Sequence, residues 1–303
     1  MALKGKLEHS HFLVKCVLWI GCILLLLIPA TVVCVSLLSQ QQSTAILKWV
    51  QFIQTAATFL LPPLMVAYLC SNQPRQWLQL RGTSAKNASW AILLMLLAIP
   101  AINLLAYINQ QMTLPAFLQP LEEWMKIQEE NAAAMTEQLL NVSTIGGLII
   151  NLLLMAVLPA LAEELTFRGV LMRLFQPMKS TDTEAKIPHM AIWCSAILFS
   201  AIHMQFYGFL PRMLMGALFG YMLVWTGSLW VPMLMHFVNN AMAVVLYFLC
   251  KKYAWDIAQW ETIGTNNTLW LGVVSMVVVG LGIYAFRRST TMSNASSRMS
   301  NGN

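Results

Sequence analysis

Charged residues are scarce in this sequence. Asp, Glu, Lys and Arg make up 10% of its 303 residues, while 58% are hydrophobic. Soluble domains usually carry about a quarter charged residues, so the shortage excludes an ordinary soluble domain and indicates a membrane protein. The charges are also clustered, and each long uncharged run between them exceeds the roughly 20 residues that a helix needs to cross a bilayer. These runs are 16–47, 49–74, 87–121, 138–162, 187–211, 213–250 and 262–286.

Several familiar sequence signals are absent. The six cysteines lie within or at the edges of apolar segments, where they behave as small hydrophobes, and they predict no disulfide framework. There is no Cys-x-x-Cys pair and no His-Glu-x-x-His helix, two common signatures of zinc sites. The first apolar segment, 16–38, is long enough to span and lacks a persuasive cleavage site. We therefore expect a membrane span there and no removable signal peptide.

The uncharged runs predict an all-α, polytopic membrane protein with about eight transmembrane helices. The run 213–250 is interrupted by Thr226-Gly227-Ser228, which indicates two spans joined by a tight turn. The predicted spans are 16–38, 46–70, 89–108, 144–165, 188–206, 209–225, 229–249 and 268–286. The chain divides into an N-terminal three-span region (1–143), a core (144–250), a last loop and span (251–286) and a tail (287–303). The tail is rich in Ser, Asn and Arg and is expected to be disordered in the cytoplasm.

The net charge of +6 and the pI of about 9.1 do not indicate nucleic-acid binding, because the basic residues are spread over the predicted membrane loops. Most of the 18 Lys and Arg residues fall on the same side as the N-terminus, and cytoplasmic loops are enriched in Lys and Arg. We therefore expect a multi-pass protein of the cell membrane with both termini in the cytoplasm. The largest outer connection, 109–143, is acidic, and 121–140 within it is compatible with a surface amphipathic helix.

A few polar side chains lie at membrane depth, where a charge costs roughly 2.5 to 3.5 kcal/mol on insertion scales. Three pairs are spaced four residues apart, and such pairs lie on one face of a helix. These pairs are Glu164 and Arg168, Phe199 and His203, and His236 and Asn240. Each has a simpler reading: an interfacial ion pair for the first, and helix-packing or interhelical hydrogen bonding for the histidines. The further polar candidates are Glu163, Asn151, Asn239 and the interfacial His189.

Taken together, two histidines, an unpaired glutamate and an asparagine on three spans form a suitable set for acid–base chemistry. A carboxylate and an imidazole can jointly deprotonate a water, and a second imidazole with an amide can stabilise an oxyanion. Alternatively, Glu163, His203 and His236 could bind Zn²⁺ and leave one position for water. The residues alone leave both possibilities open, so the cofactor is either none or Zn²⁺.

Three motifs in order, EELTFR (163–168), FSAIH (199–203) and HFVNN (236–240), resemble those of the CAAX protease and bacteriocin-processing family, also called the Abi family. The lead-in TGSLWVPMLMH, 226–236, is similar as well, so the resemblance covers roughly 144–250. It implies an eight-helix intramembrane endopeptidase, or CAAX-type protease. In it Glu163 and His203 would activate water and His236 and Asn240 would form the oxyanion site. Glu164 with Arg168 would hold the fourth helix in register, and Phe199 belongs to the second motif.

The same polar groups also suit other functions. A proton- or ion-coupled transporter uses Glu and His at the membrane midplane, although many transporters show internal repeats that this sequence lacks. A non-catalytic immunity or scaffold protein would be expected to carry degraded motifs, and here all are intact. The expected partners are membrane lipids and a membrane-associated peptide or protein substrate, with no nucleic acid. The short chain has a bacterial character.

These predicted boundaries carry a geometric conflict. They place Glu163 near the cytoplasmic end of its span and His203 near the outer end of the next, roughly 20 Å apart in depth. A shared water requires hydrogen-bond distances of about 3 Å. We therefore expect the fourth helix to continue past Arg168 toward 175, and the fifth to be tilted or shifted. Glu163, His203 and His236 should then converge on one cavity open to the cytoplasm or to lipid, with Asn240 one turn from His236.

Overall fold

The computed structural model of the chain describes residues 3–40, 43–175 and 187–300, with side chains as far as 290. Over these ranges the chain consists of helices and connecting turns, and it contains no strand. The main helices are α1 (Phe12–Gln40), α2 (Thr44–Cys70), α3 (Ala85–Leu97), α4 (Ile99–Gln110), α5 (Gln119–Leu140), α6 (Ile145–Leu174), α7 (His189–Ala201), α8 (Phe209–Thr226), α9 (Trp230–Tyr253) and α10 (Leu269–Ser300). Short helices lie at Pro74–Trp77 and Ile257–Glu261.

The predicted all-α, polytopic architecture is confirmed. Six helices of the described chain are long and apolar enough to cross a membrane, and the count rises to seven if the bent pair α3 and α4 forms one span. The shorter apolar helix α7 occupies the place of the predicted fifth span. Each predicted span therefore has a helical counterpart. The tight turn between α8 and α9 is also present, with Gly227 in the left-handed conformation at φ 64°.

The third predicted span is broken into α3 and α4, which meet at an angle of 47°. Pro100 lies at the bend, and proline cannot donate a backbone hydrogen bond. Ser275 of α10 fills the gap, because its hydroxyl donates to the Leu97 carbonyl at 2.5 Å and accepts from the Ala101 amide at 3.2 Å. A neighbouring side chain thus satisfies the backbone groups that a membrane would leave without partners.

The fourth helix continues past Arg168, as expected from the need to bring Glu163 close to His203. α6 extends from Ile145 to Leu174, so Glu163 lies inside it. Two π-helical segments, Leu152–Val157 and Leu165–Leu171, flank the turn that carries the glutamates. π-Bulges occur mostly as single turns and are frequent at functional sites. They rotate the glutamate turn relative to a regular helix, and local sequence periodicity does not encode this rotation.

The fifth helix is shorter than the predicted span 188–206. α7 has 13 residues, which is about 20 Å of helix against roughly 30 Å of bilayer hydrocarbon. The chain leaves it after Ala201 and turns at Met204, whose φ is 55°. His203 therefore lies in this turn, two residues beyond the end of α7, and its ring still contacts that of Phe199, with centroids 5.1 Å apart. The predicted separation in depth is removed mainly by the longer α6. Glu163 lies 11 residues before its end at Leu174 (174 − 163), and His203 lies 14 residues after the start of α7 at His189 (203 − 189).

The predicted disordered tail, 287–303, begins within α10, which continues to Ser300. A helix that is already nucleated adds residues at little cost, so α10 can propagate beyond its apolar part even through the Ser, Thr and Asn residues of this segment. The disorder of the tail stays a prediction. Residues 301–303 lie outside the described part of the chain.

The core is formed where α8 packs closely against α7 and α6. A Cβ at Gly220 would lie 2.9 Å from Ile192, and one at Gly216 would lie 3.3 Å from the Cα of Ala196. Only glycine permits this approach, which is the expected role of a small-xxx-small pair in membrane helices. The predicted amphipathic segment 121–140 corresponds to α5, whose Leu139 carbonyl accepts a hydrogen bond from the Asn151 side chain on α6 at 3.0 Å.

Candidate active site

The Glu163 carboxylate faces two histidines from different parts of the chain. Its Oε2 lies 3.8 Å from Nε2 of His203 and 3.9 Å from Nε2 of His236. The structure thus brings together three residues that the sequence predicted to converge. The Glu163 side chain is only 13% exposed, and its Oε2 accepts no hydrogen bond from any residue that the structure describes.

The other ring nitrogen of each histidine is already engaged. Nδ1 of His203 lies 2.7 Å from the Phe199 carbonyl, and Nδ1 of His236 lies 3.0 Å from Oε1 of Glu164. A carbonyl oxygen and a carboxylate can only accept, so each Nδ1 carries the hydrogen and donates it. In the neutral imidazoles both Nε2 atoms then present lone pairs toward Glu163. This set of three facing acceptors needs a shared proton, a water or a cation between them.

Glu164 and Arg168 form a buried ion pair next to the site. The Glu164 Oε1 accepts from Arg168 Nη1 at 2.8 Å, and their side chains are 0% and 1% exposed. Arg168 also donates through Nη2 to the Gly216 carbonyl at 2.9 Å, which joins α6 to α8. The pairing of Glu164 with Arg168 was predicted. The hydrogen bond that His236 donates to Glu164 was not predicted, because those residues are 72 positions apart and no local spacing indicates the contact.

Aromatic rings fix the orientation of the two imidazoles. Phe199 packs edge-on against His203 and His236, with ring centroids 5.1 and 5.8 Å apart. Phe219 of α8 stacks on His236 at 5.7 Å. The Arg168 guanidinium also lies over the Phe199 ring at 4.6 Å. Phe199 therefore supports both histidines and the buried ion pair from one position.

The predicted amide residues separate into two groups. Asn240 and Asn239 line the same cavity as Glu163, and the Asn239 side-chain amide donates to the Asn240 oxygen at 3.1 Å. Asn240 follows His236 by one turn of α9, as predicted. Asn151 is buried against α5 and does not line the cavity. His189 lies apart from the site and shares a 2.7 Å hydrogen bond with the Tyr221 hydroxyl.

The cavity at Glu163 has a volume of about 460 Å³, within the range of roughly 300–1,000 Å³ that ligand sites occupy. A second cavity of about 490 Å³ adjoins it and shares His203, Gln205, Met155 and Thr136 in its walls. Helix α5 contributes side chains to both cavities, including Thr136, which lines each of them. The expected opening of the cavity toward the cytoplasm or laterally to lipid stays a prediction.

Arg212 and Gln205 are cavity residues that motif reasoning missed. Arg212 donates to the backbone and side-chain oxygens of Gln205 at 3.2 and 3.0 Å, and both residues line the Glu163 cavity. A signal was present in the sequence, since Arg212 is the single charged residue between Lys186 and Lys251. Its place in the cavity depends on the turn after α7, which the sequence does not reveal.

The donor types of the site fit a zinc ion. Two neutral imidazole Nε2 atoms and a carboxylate are typical zinc ligands, and metal-bound histidines usually donate their other N–H to an oxygen, as both do here. Zinc bonds of 2.0–2.2 Å would hold the donor atoms roughly 3.4 Å apart. The observed separations of 3.8 and 3.9 Å are longer. In the described chain no group of three or more His, Cys, Asp or Glu is close enough to hold a metal as arranged.

This arrangement of α6, α7 and α9 lies within the segment that matches a known family. Residues 145–242 match the type II CAAX prenyl endopeptidase Rce1-like family. The resemblance found in the motifs is confirmed for this segment, about a third of the chain. The Rce1-like segment contains Glu163, His203, His236 and Asn240, and it leaves α1 to α5 and α10 outside the match.

One curated relative is similar to part of the chain. The uncharacterized protein YpbD of Bacillus subtilis (strain 168) is 31% identical over 95 residues, which are 30% of this chain. The matched region covers only 42% of YpbD. No solved structure matches the chain. The Rce1-like match supports intramembrane endopeptidase activity at the level of the family.

Proposed function

We propose that the protein is an endopeptidase that hydrolyses peptide bonds of a membrane-associated protein or leader peptide. The observation that carries this proposal is the convergence of the Glu163 carboxylate with Nε2 of His203 and of His236 in one largely buried cavity. A water placed among these three acceptors would find a base for one proton and an acceptor for the other. Because helices enclose the cavity, bulk water would compete less for the hydrogen bonds that hold this water and the substrate.

In the proposed reaction Glu163 takes a proton from the water while His203 accepts the second O–H and orients it. The hydroxide attacks the substrate carbonyl carbon, and the carbonyl oxygen becomes an oxyanion. Asn240 can donate to this oxyanion through its amide N–H. The proton held by Glu163 then passes to the leaving amine as the C–N bond breaks. Atoms and charge balance, because one water is added across the bond.

His236 has a narrower role than the resemblance implies. Its Nδ1 hydrogen is directed to Glu164, so Nε2 can donate to an oxyanion only when the ring is protonated. The Glu164 carboxylate is positioned to compensate the charge of that imidazolium. A zinc ion, if bound, would be held by Glu163, His203 and His236 and would supply a Lewis acid and an activated water.

The substrate can be identified by comparing membrane-fraction proteomes of cells that produce the wild type and the Glu163→Ala variant. A protease should leave one or more uncleaved membrane-associated proteins or leader peptides in the variant, and the new termini should be present only with the wild type. Unchanged termini in both strains would contradict protease function and favour a transporter or a non-catalytic protein. Matched levels of the two proteins in the membrane exclude an effect of expression.

The proposed location is a bacterial cell membrane with both termini in the cytoplasm. With that orientation α5 lies on the outer side, and the proposed entry of substrate is from the cytoplasm or laterally from lipid. Reporter fusions at residue 125 should then read extracytoplasmic, and fusions at 180 and 295 cytoplasmic. A cytoplasmic signal at 125 would contradict this orientation.

A further inference from the structure

The second cavity has a polar wall that the catalytic proposal does not use. Gln51, Gln54, Thr55 and Thr58 of α2 all line it. They follow the i, i+3, i+4 and i+7 spacing, so they form a row along one face of the helix. We call these four residues the α2 polar row. Their side chains form no hydrogen bond with any described residue. The Gln51 oxygen is shielded from solvent, Thr55 and Thr58 are half-buried, and Gln54 is exposed.

Unpaired amides and hydroxyls are costly at membrane depth, because no lipid tail can replace the hydrogen bonds of water. A row of four on one face is therefore expected to have a polar occupant. A different side of α2 lines an apolar cavity instead. This separate cavity has a volume of about 500 Å³, and its lining is apolar except for Lys48: Ala45, Lys48, Trp49, Phe52, Ile150, Leu153, Leu154 and Leu158. That apolar cavity suits a hydrocarbon chain, and the polar row does not.

The position of the second cavity indicates which polar occupant it holds. It meets the catalytic cavity at His203, Gln205, Met155 and Thr136. A polypeptide that reaches the water at Glu163 must be extended, and its backbone N–H and C=O groups then lack the partners of a helix. Gln51 and Gln54 can both donate and accept, and the Thr hydroxyls can do the same.

We propose that the second cavity holds the substrate polypeptide in extended form on one side of the scissile bond, with the α2 polar row hydrogen-bonded to its backbone. This inference rests on the proposed endopeptidase function. It assigns α2, which lies outside the matched segment 145–242, a direct role in substrate binding. It also makes an unfolded peptide, rather than a hydrocarbon chain, the group recognised at this cavity.

The direct test measures peptide binding to the full chain carrying Glu163→Gln, reconstituted in lipid nanodiscs. The probes are a fluorescent twelve-residue Ala-Leu peptide and the same peptide with N-methylated backbone amides. The unmodified peptide should bind more tightly. Gln51→Leu and Thr55→Val should each weaken its binding by about five-fold, the equivalent of one hydrogen bond. Both substitutions should weaken binding of the N-methylated peptide less, because that peptide keeps its carbonyl acceptors and lacks the amide N–H donors.

The matched control is Gln138→Leu, the same chemical change at an exposed position of α5 that lines neither cavity. It should leave the binding of both peptides unchanged. Equal affinity for the two peptides, no binding of either, or tighter binding by the Gln51→Leu variant would overturn the inference. The measurement uses an inactive variant, so its result does not depend on whether the wild type hydrolyses a peptide bond.

A kinetic test separates substrate binding from a water path along the same row. With the substrate found by the proteome comparison, Gln51→Leu and Thr55→Val in the active protein should raise KM and leave kcat unchanged. A lowered kcat with unchanged KM would mean that the row delivers water, and the proposal would fail while protease function stands. Failure of the protease function itself would instead show as no cleavage by the wild type.

Discussion

The Glu164 carboxylate oxygen Oε1 accepts hydrogen bonds from Arg168 Nη1 at 2.8 Å and from His236 Nδ1 at 3.0 Å. One buried atom thus links the ion pair of α6 to the imidazole of α9. The arrangement explains why two adjacent glutamates are present. Successive side chains on a helix point about 100° apart, so Glu163 faces the cavity while Glu164 faces the ion pair.

Glu164→Gln tests this division of labour. The substitution keeps the shape but leaves the Arg168 charge buried without its counter-ion, and breaking a buried pair typically costs about 3–5 kcal/mol. We expect a lower melting temperature and a lower yield, together with reduced kcat because His236 then donates to a neutral amide oxygen in place of the carboxylate. Glu122→Gln is the control, since Glu122 pairs with the exposed Lys126 at 2.9 Å. Equal melting temperatures for the Glu164→Gln variant and the wild type would contradict the linking role.

Gly216→Ala tests the packing that holds the ion pair. A Cβ there would lie 3.1 Å from Arg168 Nη2, 3.2 Å from Phe199 and 3.3 Å from the Ala196 Cα. Overpacking of this kind typically costs about 1–3 kcal/mol, and here it would displace Arg168 and Phe199 from the site. We expect reduced stability and activity in thermal and cleavage assays. Gly146→Ala, where nothing lies within 4 Å, should be neutral or stabilising. Similar losses in both variants would mean that Gly216 has no special role.

Much of the fold could be predicted from the sequence, because the signal was local. Long uncharged runs mark the spans, and the glycine at 227 marks the turn between α8 and α9. Chemical reasoning about Glu163 and His203 also predicted correctly that α6 must continue past Arg168. The shortness of α7 was missed in detail, because the apolar run does not end where the helix ends at Ala201.

The residues of the site could be predicted from the sequence, but most of the contacts between them could not. Glu163, His203, His236 and Asn240 stood out as polar groups in apolar segments. The contacts of Glu164 with His236, and of Arg212 with the cavity, depend on tertiary packing that no spacing encodes. The second cavity was missed for the same reason. Its polar row lies on α2, and its neighbours come from α1, α5 and α6.

The metal question has a direct test. We expect activity to persist after exposure to a strong chelator, because Asn240 suits an amide donor better than a zinc ligand and the donor separations are long for a shared zinc. Metal content should be measured by elemental analysis on the same samples. Loss of activity on chelation with recovery on adding Zn²⁺ would instead assign Glu163, His203 and His236 as zinc ligands.

The most direct measurement is the cleavage rate of the Glu163→Gln variant on the substrate identified in membrane fractions. The amide keeps the shape and removes the base, so the rate should fall by roughly 10²–10⁴-fold, the usual contribution of a general base. Membrane insertion and melting temperature should remain those of the wild type, and Glu137→Gln on the exposed surface of α5 should retain full activity. A wild-type rate in the Glu163→Gln variant would contradict the assignment of Glu163 as the base that activates water.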